Sequence, residues 1–308
     1  MSTPVRPRRA AATAATALAA LALAACGTTD VAEESGAASD GSAISEDCAA
    51  DTTETSTEAV TLTDDYGRTV ELDQPAERVT DVGTRQEPSM DALAGADLDL
   101  IIVEATAEDD PVIAQLEGLG VPVLATQGAD TSDPVTHMTD LFSLIAEATG
   151  RTERAEVVLD EFETTIAEAK QQVADADLPT TDFVYLDGWV DGGNVSIRPF
   201  GEGALFTALG EELGLTNAWT EEVDPVYGLG QTDIEGLTTV GDANLFYTGT
   251  EDGEDSYVTQ LESNELWTSM PAVEEGRAHA FPSGIWTFGG PRSSEQAIEA
   301  YVDVISGS

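Results

Sequence analysis

The most restrictive feature of this sequence is a run of 27 residues in the middle of the chain, 151–177, that contains neither glycine nor proline. Apolar residues recur along it at three- and four-residue steps, the periodicity of an amphipathic helix: Ala155, Val158, Leu159, Phe162, Ile166, Ala169 and Val173. At about 1.5 Å per residue this helix would be close to 40 Å long. A helix of that length can connect two lobes, although a long surface helix within one domain would show the same pattern.

The segment before the long helix predicts an α/β unit. Residues 59–72 alternate apolar and polar side chains around a tight turn, which indicates a β-hairpin. Apolar runs at 98–104 and 121–126 flank a helical stretch that ends in glycines, and this spacing predicts parallel strands. A further helix is predicted over 132–150, with Asp133 as its N-cap and proline at its first position.

The second half of the chain repeats this alternation. The pattern there predicts strands at 182–186, 194–198 and 243–249, and a helix at 203–214. The stretches 88–103 and 232–247 also share a scheme in which a short helix, an acidic turn and an apolar strand follow one another. Either this likeness is chance or the halves are related. We predict an α/β fold of two doubly wound lobes, 59–150 and 178–308, joined by the long helix 151–177.

The N-terminus predicts secretion and lipid anchoring. Three arginines precede an apolar run that closes with the letters LAAC at Cys26, the pattern of a lipoprotein signal peptide over 1–25. A transmembrane anchor is the alternative, but the run of about 16 apolar residues is shorter than the roughly 20 that a span needs. Residues 26–58 have almost no large apolar side chains, which predicts a disordered tether. We therefore expect an extracytoplasmic protein that is lipid-anchored to the outer face of the cell membrane.

The charge of the chain excludes several classes of partner. Twelve Lys and Arg residues stand against 59 Asp and Glu, a formal net charge of −47, and loss of the three signal arginines would leave 9 minus 59, or −50. Nucleic acids and anionic lipid surfaces would be repelled. A generally acidic, well-solvated surface is the simplest interpretation. Cys48 has no intrachain partner once Cys26 is lipidated, so it is either a free tether thiol or forms an intermolecular disulfide.

Enzyme chemistry finds little support in the sequence. The two histidines, His137 and His279, have no His or Cys neighbours at metal-ligand spacing, and no nucleophile, P-loop or zinc-protease motif is present. An anchored hydrolase would need a nucleophile oriented by histidine, and Ser283 near His279 has nothing that indicates such a dyad. The acids of 187–194 could suggest calcium, but a glycine-rich turn explains them more simply. We predict a non-enzymatic protein without a resident metal or cofactor.

A small set of aromatic and cationic residues in predicted loops is more informative: Arg85, Trp189, Tyr227 and Trp286. Loops at strand ends are where α/β folds bind ligands. Aromatic rings there give flat contact area to a bulky organic ligand, and arginine donates hydrogen bonds to its anionic oxygens. Each residue taken alone could instead be a packing residue, and Arg85 could pair with Glu87.

Three longer stretches carry a resemblance that covers residues 60–308. They are "DVGTRQEPSMDAL" at 81–93, "GALFTALGEELGLTNAW" at 203–219, and the run from "LW" at 266–267 to "IWTFGGPRS" at 285–293. Together with the signal, tether and long helix, they resemble the iron-siderophore substrate-binding proteins of ABC importers. That class has a helical backbone and includes vitamin B12 binders, and the likeness is closest to its ferric hydroxamate branch.

The resemblance implies roles for individual residues. Arg85 matches an arginine that hydrogen-bonds the iron-chelating oxygens, Tyr227 an aromatic residue from the C-terminal lobe, and Trp286 a cleft tryptophan. Asp91 and Glu235 fall where the family presents one acid per lobe to arginines of the permease. The implied protein is a monomeric receptor that binds a ferric siderophore between its lobes and delivers it to an ABC permease. A corrinoid or haem ligand is the first alternative, and an inert surface protein belongs to a different class.

One departure from the family pattern concerns the first lobe. Between 74–80 and 81–88 the family has a further strand, helix and strand, whereas this chain passes directly from one stretch to the next. We therefore expect a shortened N-terminal lobe that lacks several cleft residues and has exposed strand edges.

Overall fold

The computed structural model describes four stretches of the chain: 56–77, 83–84, 87–249 and 257–306. All the described residues belong to one compact unit. Several sequence predictions fall outside these stretches and are not addressed by the fold: the ligand-binding role of Arg85, the lipidation of Cys26, the state of Cys48, and the direct passage from Arg78 to Val82.

The described chain begins with the predicted hairpin. Strands β1 (Val60–Thr63) and β2 (Thr69–Leu72) pair antiparallel in the register that the alternation predicts. Asp64 closes the turn, because its Oδ1 accepts hydrogen bonds from the backbone N–H groups of Tyr66 and Arg68. A carboxylate that caps its own turn in this way fixes the register of both strands.

The hairpin is followed by a small parallel α/β unit. Its elements are β3 (Gly83–Thr84), β4 (Glu87–Pro88), α1 (Met90–Gly95), β5 (Ile101–Glu104), α2 (Pro111–Glu117) and β6 (Val123–Thr126). Strands β5 and β6 pair parallel, as predicted. Asp110 caps α2 by accepting from the backbone N–H of Val112 at 3.1 Å, with proline at the first helical position. Apolar clusters form on both sides of this unit and together make the N-terminal core.

Two long helices follow, α3 (Pro134–Ala148) and α4 (Thr152–Asp175). Asp133 caps α3 as predicted, accepting from the backbone N–H of Thr136 at 3.2 Å. Helix α4 is the long helix of the sequence pattern, and Gly150 with φ 67° separates the two helices. The aspartate cap therefore marks the start of α3, and the glycine marks the boundary between α3 and α4.

The two helices differ in the cores that they join. Helix α3 contributes Met138 to the C-terminal core and Ala148 to the N-terminal core. Helix α4 contributes Phe162, Ala169 and Val173 to the C-terminal core. Helix α3 is thus shared by both cores, while α4 covers the larger sheet.

The C-terminal core surrounds a five-stranded mixed sheet. Its strands are β7 (Asp182–Asp191), β8 (Asn194–Phe200), β9 (Thr216–Asn217), β10 (Asn244–Tyr247) and β11 (Ala278–Ala280), in the order β11-β10-β7-β8, with β9 also pairing with β7. Only β8 runs antiparallel to its neighbour. Successive residues of β7 enter opposite apolar clusters: Phe183 and Tyr185 enter one, Val184 and Leu186 the other. Both faces of the sheet are therefore buried.

Helices cover both faces. One face carries α4, α5 (Leu205–Glu212) and α10 (Pro291–Ser306), and the other carries short helices at Ile234–Leu237 (α6), Tyr257–Leu261 (α7), Glu265–Thr268 (α8) and Pro271–Glu274 (α9). Arg292 on α10 binds Glu161 on α4. This is the mixed α/β, doubly wound architecture that the sequence predicted.

The N-terminal sheets are much smaller than the C-terminal sheet. Among the described residues the N-terminal strands form three separate two-stranded sheets, β1–β2, β3–β4 and the parallel pair β5–β6, whereas the C-terminal sheet has five strands. A shortened N-terminal lobe stays a prediction. The division of the chain at 59–150, 151–177 and 178–308 stays a prediction.

Candidate functional site

The β7–β8 hairpin presents a polar and aromatic face above the C-terminal core. Gly192 and Gly193, with φ 55° and 87°, form its two-residue turn. Because side chains alternate across a strand, the residues on one face form three cross-strand pairs: Tyr185 with Phe200, Asp187 with Arg198, and Trp189 with Ser196. The first pair is buried, and Trp189 near the turn is 42% exposed.

Arg198 is held rigidly at the middle of this face. Its Nε donates to Asp187 Oδ1 at 2.8 Å and a terminal N–H donates to Oδ2, which makes a bidentate pair. The guanidinium carbon lies 5.8 Å from the centre of the Trp189 ring and 6.0 Å from that of Phe200. The hydrogen bonds to Asp187 raise the pKa of Arg198 above its usual value. About a third of its side chain remains exposed for a ligand.

Tyr227 is positioned by a tightly bonded loop. The carboxylate of Asp224 accepts from the backbone N–H groups of Val226, Tyr227 and Leu229. Gly228 has φ 69°, and a Cβ there would lie 2.5 Å from the backbone nitrogen of Ala204. Only glycine fits this position, so the loop packs directly on the start of α5.

The phenol of Tyr227 is bound to the N-terminal part of the chain. It donates to Oε1 of Glu104, the last residue of β5, at 2.5 Å. Gly128 follows β6 and lies beside this pair, since a Cβ there would overlap Glu104 Oε1 and come within 3.0 Å of the Tyr227 oxygen. The carboxyl ends of both parallel strands therefore contribute to the site, as expected for an α/β fold.

Aromatic rings link these parts. Phe288 packs edge-on against Tyr227 with centroids 5.5 Å apart and against Trp286 at 5.9 Å. The centroid of its ring also lies 6.4 Å from that of Phe200, and the Phe200 ring in turn lies 6.0 Å from the guanidinium carbon of Arg198. Trp286 is 64% exposed. A large exposed aromatic surface that is linked through packed rings to a fixed cation is typical of a binding site.

A cavity of about 400 Å³ opens next to these rings. One face of α3 forms one wall: His137, Met138, Leu141, Phe142 and Ile145. The opposite wall comprises Leu205, Tyr227 and residues 288–290, and the segment 128–129 lies at one side. The cavity is mostly apolar and falls in the size range of small-molecule sites.

The structure brings three of the four predicted ligand-binding residues into one network. Trp189, Tyr227 and Trp286 are connected through Arg198, Phe200 and Phe288. The fourth, Arg85, lies outside the described stretches. Sequence reasoning missed Arg198, Glu104 and Phe288. The signal for Arg198 was available, because a two-residue Gly-Gly turn places it opposite Asp187.

The predicted glycine-rich turn is shorter than expected. Strand β7 continues to Asp191, so the turn comprises two glycines rather than the whole of 187–194. Both carboxylate oxygens of Asp187 accept hydrogen bonds from Arg198. Within the stretches that the structure describes, no group of three or more His, Cys, Asp or Glu side chains could hold a metal ion. The expectation of no resident metal or cofactor stays a prediction.

The two acids expected at the permease interface occupy equivalent positions. Asp91 lies in the first turn of α1 and Glu235 in the first turn of α6. Both are exposed, and each is followed two residues later by a buried leucine, Leu93 or Leu237. The helix–strand order of the two stretches is also the same, since α1 leads into β5 and α6 into β10.

None of the helices in the described stretches is both long and apolar enough to cross a membrane.

Comparisons with known proteins agree with this architecture. The substrate-binding lipoprotein YhfQ of a Bacillus subtilis ABC transporter is 26% identical over 231 residues, 73% of this chain and 68% of that protein. The iron(3+)-hydroxamate-binding protein FhuD of Escherichia coli is 23% identical over 230 residues, 74% and 73% of the two chains. The crystal structure of the Fe3+–Desferal-bound siderophore-binding protein FhuD from Vibrio cholerae superposes with a TM-score of 0.57 at 22% identity, covering 74% of this chain and 82% of that one.

A family model described as periplasmic binding protein matches residues 53–283, about three quarters of the chain. That match includes the β7–β8 hairpin, the Tyr227 loop and the whole N-terminal core. The chain therefore belongs to the periplasmic binding protein family.

Proposed function

We propose that this protein is an extracytoplasmic, lipid-anchored receptor that binds a ferric siderophore of the hydroxamate type and delivers it to an ABC permease. The observation that carries the proposal is the position of Arg198, paired with Asp187 and stacked on exposed Trp189, in one network with Tyr227 and Trp286. The function is capture and release, without a chemical reaction.

The chemistry of such a ligand matches this network. A ferric hydroxamate presents oxygen atoms with partial negative charge around the iron, and these accept hydrogen bonds from a guanidinium. In a chain with a formal charge of −47, a fixed arginine makes the cleft locally receptive to them. The rings of Trp189, Tyr227 and Trp286 supply flat contact area for the organic scaffold.

Arg85 is proposed as a second cation from the N-terminal side. The resemblance to the hydroxamate branch supports it, because Arg85 matches an arginine that hydrogen-bonds the iron-chelating oxygens in that class. Two arginines would contact different oxygens of one ligand. The relative that is named an iron(3+)-hydroxamate-binding protein favours this ligand class.

The remaining parts of the proposal follow from the sequence. The lipobox at Cys26 supports anchoring, the tether 26–58 supports a domain that moves freely near the membrane, and the acids Asp91 and Glu235 support docking to the permease. We propose that the receptor acts as a monomer.

One observation favours a second candidate, a haem or corrinoid ligand. The cavity beside Tyr227 is mostly apolar and has the imidazole of His137 on its wall. A flat macrocycle would fill apolar space better than a polar hydroxamate, and both His137 and Tyr227 carry atoms that ligate iron. Haem binding would appear as a shifted Soret band, which ferric hydroxamates lack.

The experiment is a titration of the tryptophan fluorescence of residues 59–308 with ferric hydroxamates, ferric citrate, ferric catecholates, haem and cobalamin. Saturable quenching by ferric hydroxamates is expected, reduced when Arg85 or Arg198 is replaced by Ala. Trp286→Phe is the control for the signal, because it removes an exposed fluorophore and keeps a ring. A folded protein with no response to any ferric complex would refute the proposal.

A further inference from the structure

The cavity beside Tyr227 differs in chemistry from the hairpin face that carries Arg198. Among the residues that the structure describes, no charged side chain lines the cavity, and its polar side chains are those of Tyr227 and His137. The phenol of Tyr227 is already bonded to Glu104, and Nε2 of His137 lies 3.2 Å from the carbonyl oxygen of Gln127. The cavity therefore offers a ligand little besides apolar surface.

The walls of the cavity show why it stays open. Leu141, Phe142 and Ile145 recur on one face of α3 at core spacing, yet each is only partly buried. Opposite Phe142 lies the backbone of Gly290, where an added Cβ would come within 3.8 Å of the Phe142 ring. Glycine at 290 thus leaves a gap beside Phe142 that a larger residue would narrow.

The cavity is continuous with the proposed binding face. Tyr227 and Phe288 line it and also belong to the aromatic network that reaches Trp286 and, through Phe200, Arg198. Along α3 the apolar wall extends from Met138 to Ile145, seven residues or about 10 Å. A ligand whose polar head lies at Arg198 could therefore extend an apolar arm past Phe288 and along α3.

We propose that this cavity binds an apolar arm of the ligand, such as an acyl chain, while the ferric hydroxamate head lies at Arg198 and Trp286. The inference rests on the proposed function and narrows its ligand to amphiphilic ferric hydroxamates. Polar ligand groups would lose water in the cavity without gaining partners. An acyl chain loses no hydrogen bonds there and gains the free energy of leaving water.

The test compares two forms of ferric desferrioxamine that share one head and differ in one arm, the N-acetyl and N-octanoyl amides. A buried methylene tightens binding by up to about fourfold, so the octanoyl form is expected to bind at least tenfold more tightly to the unmodified protein. Ile145→Phe, which projects a larger ring from α3 into the cavity and partly fills it, is expected to reduce this advantage and leave the affinity for the acetyl form unchanged. Leu141→Phe provides a second filling variant if the first folds poorly.

Ser143→Phe is the matched control, because it adds the same ring to an exposed position of the same helix. It is expected to retain the octanoyl preference. Equal affinities for the two amides, or a preference that both filling variants leave unchanged, would overturn the inference and leave the proposed function intact. Failure of both amides to bind the folded protein would instead overturn the proposed function. Haem binding that the filling variants abolish would assign the cavity to a macrocycle and overturn the inference.

Discussion

The phenol of Tyr227 donates a 2.5 Å hydrogen bond to Glu104, which lies 123 positions earlier in the chain. The contact joins the end of β5 to the loop that Asp224 holds beside β8. It fixes the direction of the Tyr227 ring at the rim of the cavity. A side chain at Gly128 would occupy the space that the Glu104 carboxylate uses.

Gly128→Ala is therefore expected to break the Tyr227–Glu104 bond. The carboxylate is the flexible end of a side chain, so it should swing away at a cost of about 1–2 kcal/mol, the scale of one hydrogen bond. We expect weaker ligand binding, measured by fluorescence titration, and a melting temperature lowered by about 2–4 °C per kcal/mol, measured by circular dichroism. Gly95→Ala is the control, because a Cβ at position 95 meets no atom within 4 Å. Equal affinity of both variants for the ligand would contradict the prediction.

Arg198→Lys tests whether the fixed fork of the guanidinium is required. Lysine keeps the positive charge but loses the bidentate pair with Asp187 and stacking on Trp189. We expect roughly tenfold weaker binding, equivalent to about 1.4 kcal/mol. The melting temperature should fall by only a few degrees, because the pair is partly exposed and one lost hydrogen bond costs about 1 kcal/mol. Unchanged affinity would show that charge alone at this position suffices.

The local elements of the fold were predictable from the sequence. Helices α2 and α3 begin at an aspartate followed by proline, and glycines follow their ends, so capping chemistry marked their limits. The alternation in β1 and β2 and the apolar runs of β5 and β6 were equally informative. These signals depend on neighbours within a few residues.

The site was less predictable because its contacts depend on register and tertiary packing. Treating 187–194 as one turn concealed the pairing of Asp187 with Arg198, which requires β7 to continue to the Gly-Gly turn. The Tyr227–Glu104 contact joins segments that no local pattern connects. Helix α3 resembles any capped amphipathic helix in sequence, and only packing shows that it serves both cores.

Gly210→Ala sets helix propensity against packing. Alanine in the middle of α5 should stabilise the helix by about 1 kcal/mol. A Cβ at position 210, however, would overlap the Phe183 ring, with Cε2 at 2.8 Å, and overpacking costs about 1–3 kcal/mol. We expect net destabilisation in urea unfolding, partly recovered by Phe183→Leu in the double variant. A more stable single variant would mean that the sheet and helix separate at little cost.

His279 is expected to make stability depend on pH. Burial lowers the pKa of its imidazole below the usual 6.5, so the folded state disfavours the charged form. The contribution of the neutral imidazole to the free energy of unfolding is therefore complete above pH 6.5. It is lost as the pH falls through the lower pKa of the folded state. The free energy of unfolding of the unmodified protein, relative to His279→Gln, should therefore decrease between pH 8 and pH 5. The many carboxylates titrate in both proteins, so their effect cancels in this comparison. A difference in free energy of unfolding that stays the same from pH 8 to pH 5 would contradict the prediction.

Asp91→Asn and Glu235→Gln separate delivery from binding. Both acids are exposed in the first turns of α1 and α6, so their loss should leave the fold and the ligand affinity unchanged. If each meets an arginine of the permease, either change weakens docking, and the double change weakens it further, because the two contacts lie at separate sites.

We expect reduced uptake of iron-55 as ferric hydroxamate by cells that carry the variants, with normal fluorescence titrations of the purified proteins. Asp303→Asn, an exposed acid on α10, is the control for general loss of negative charge. Normal uptake by the double variant would exclude these two acids as the docking points.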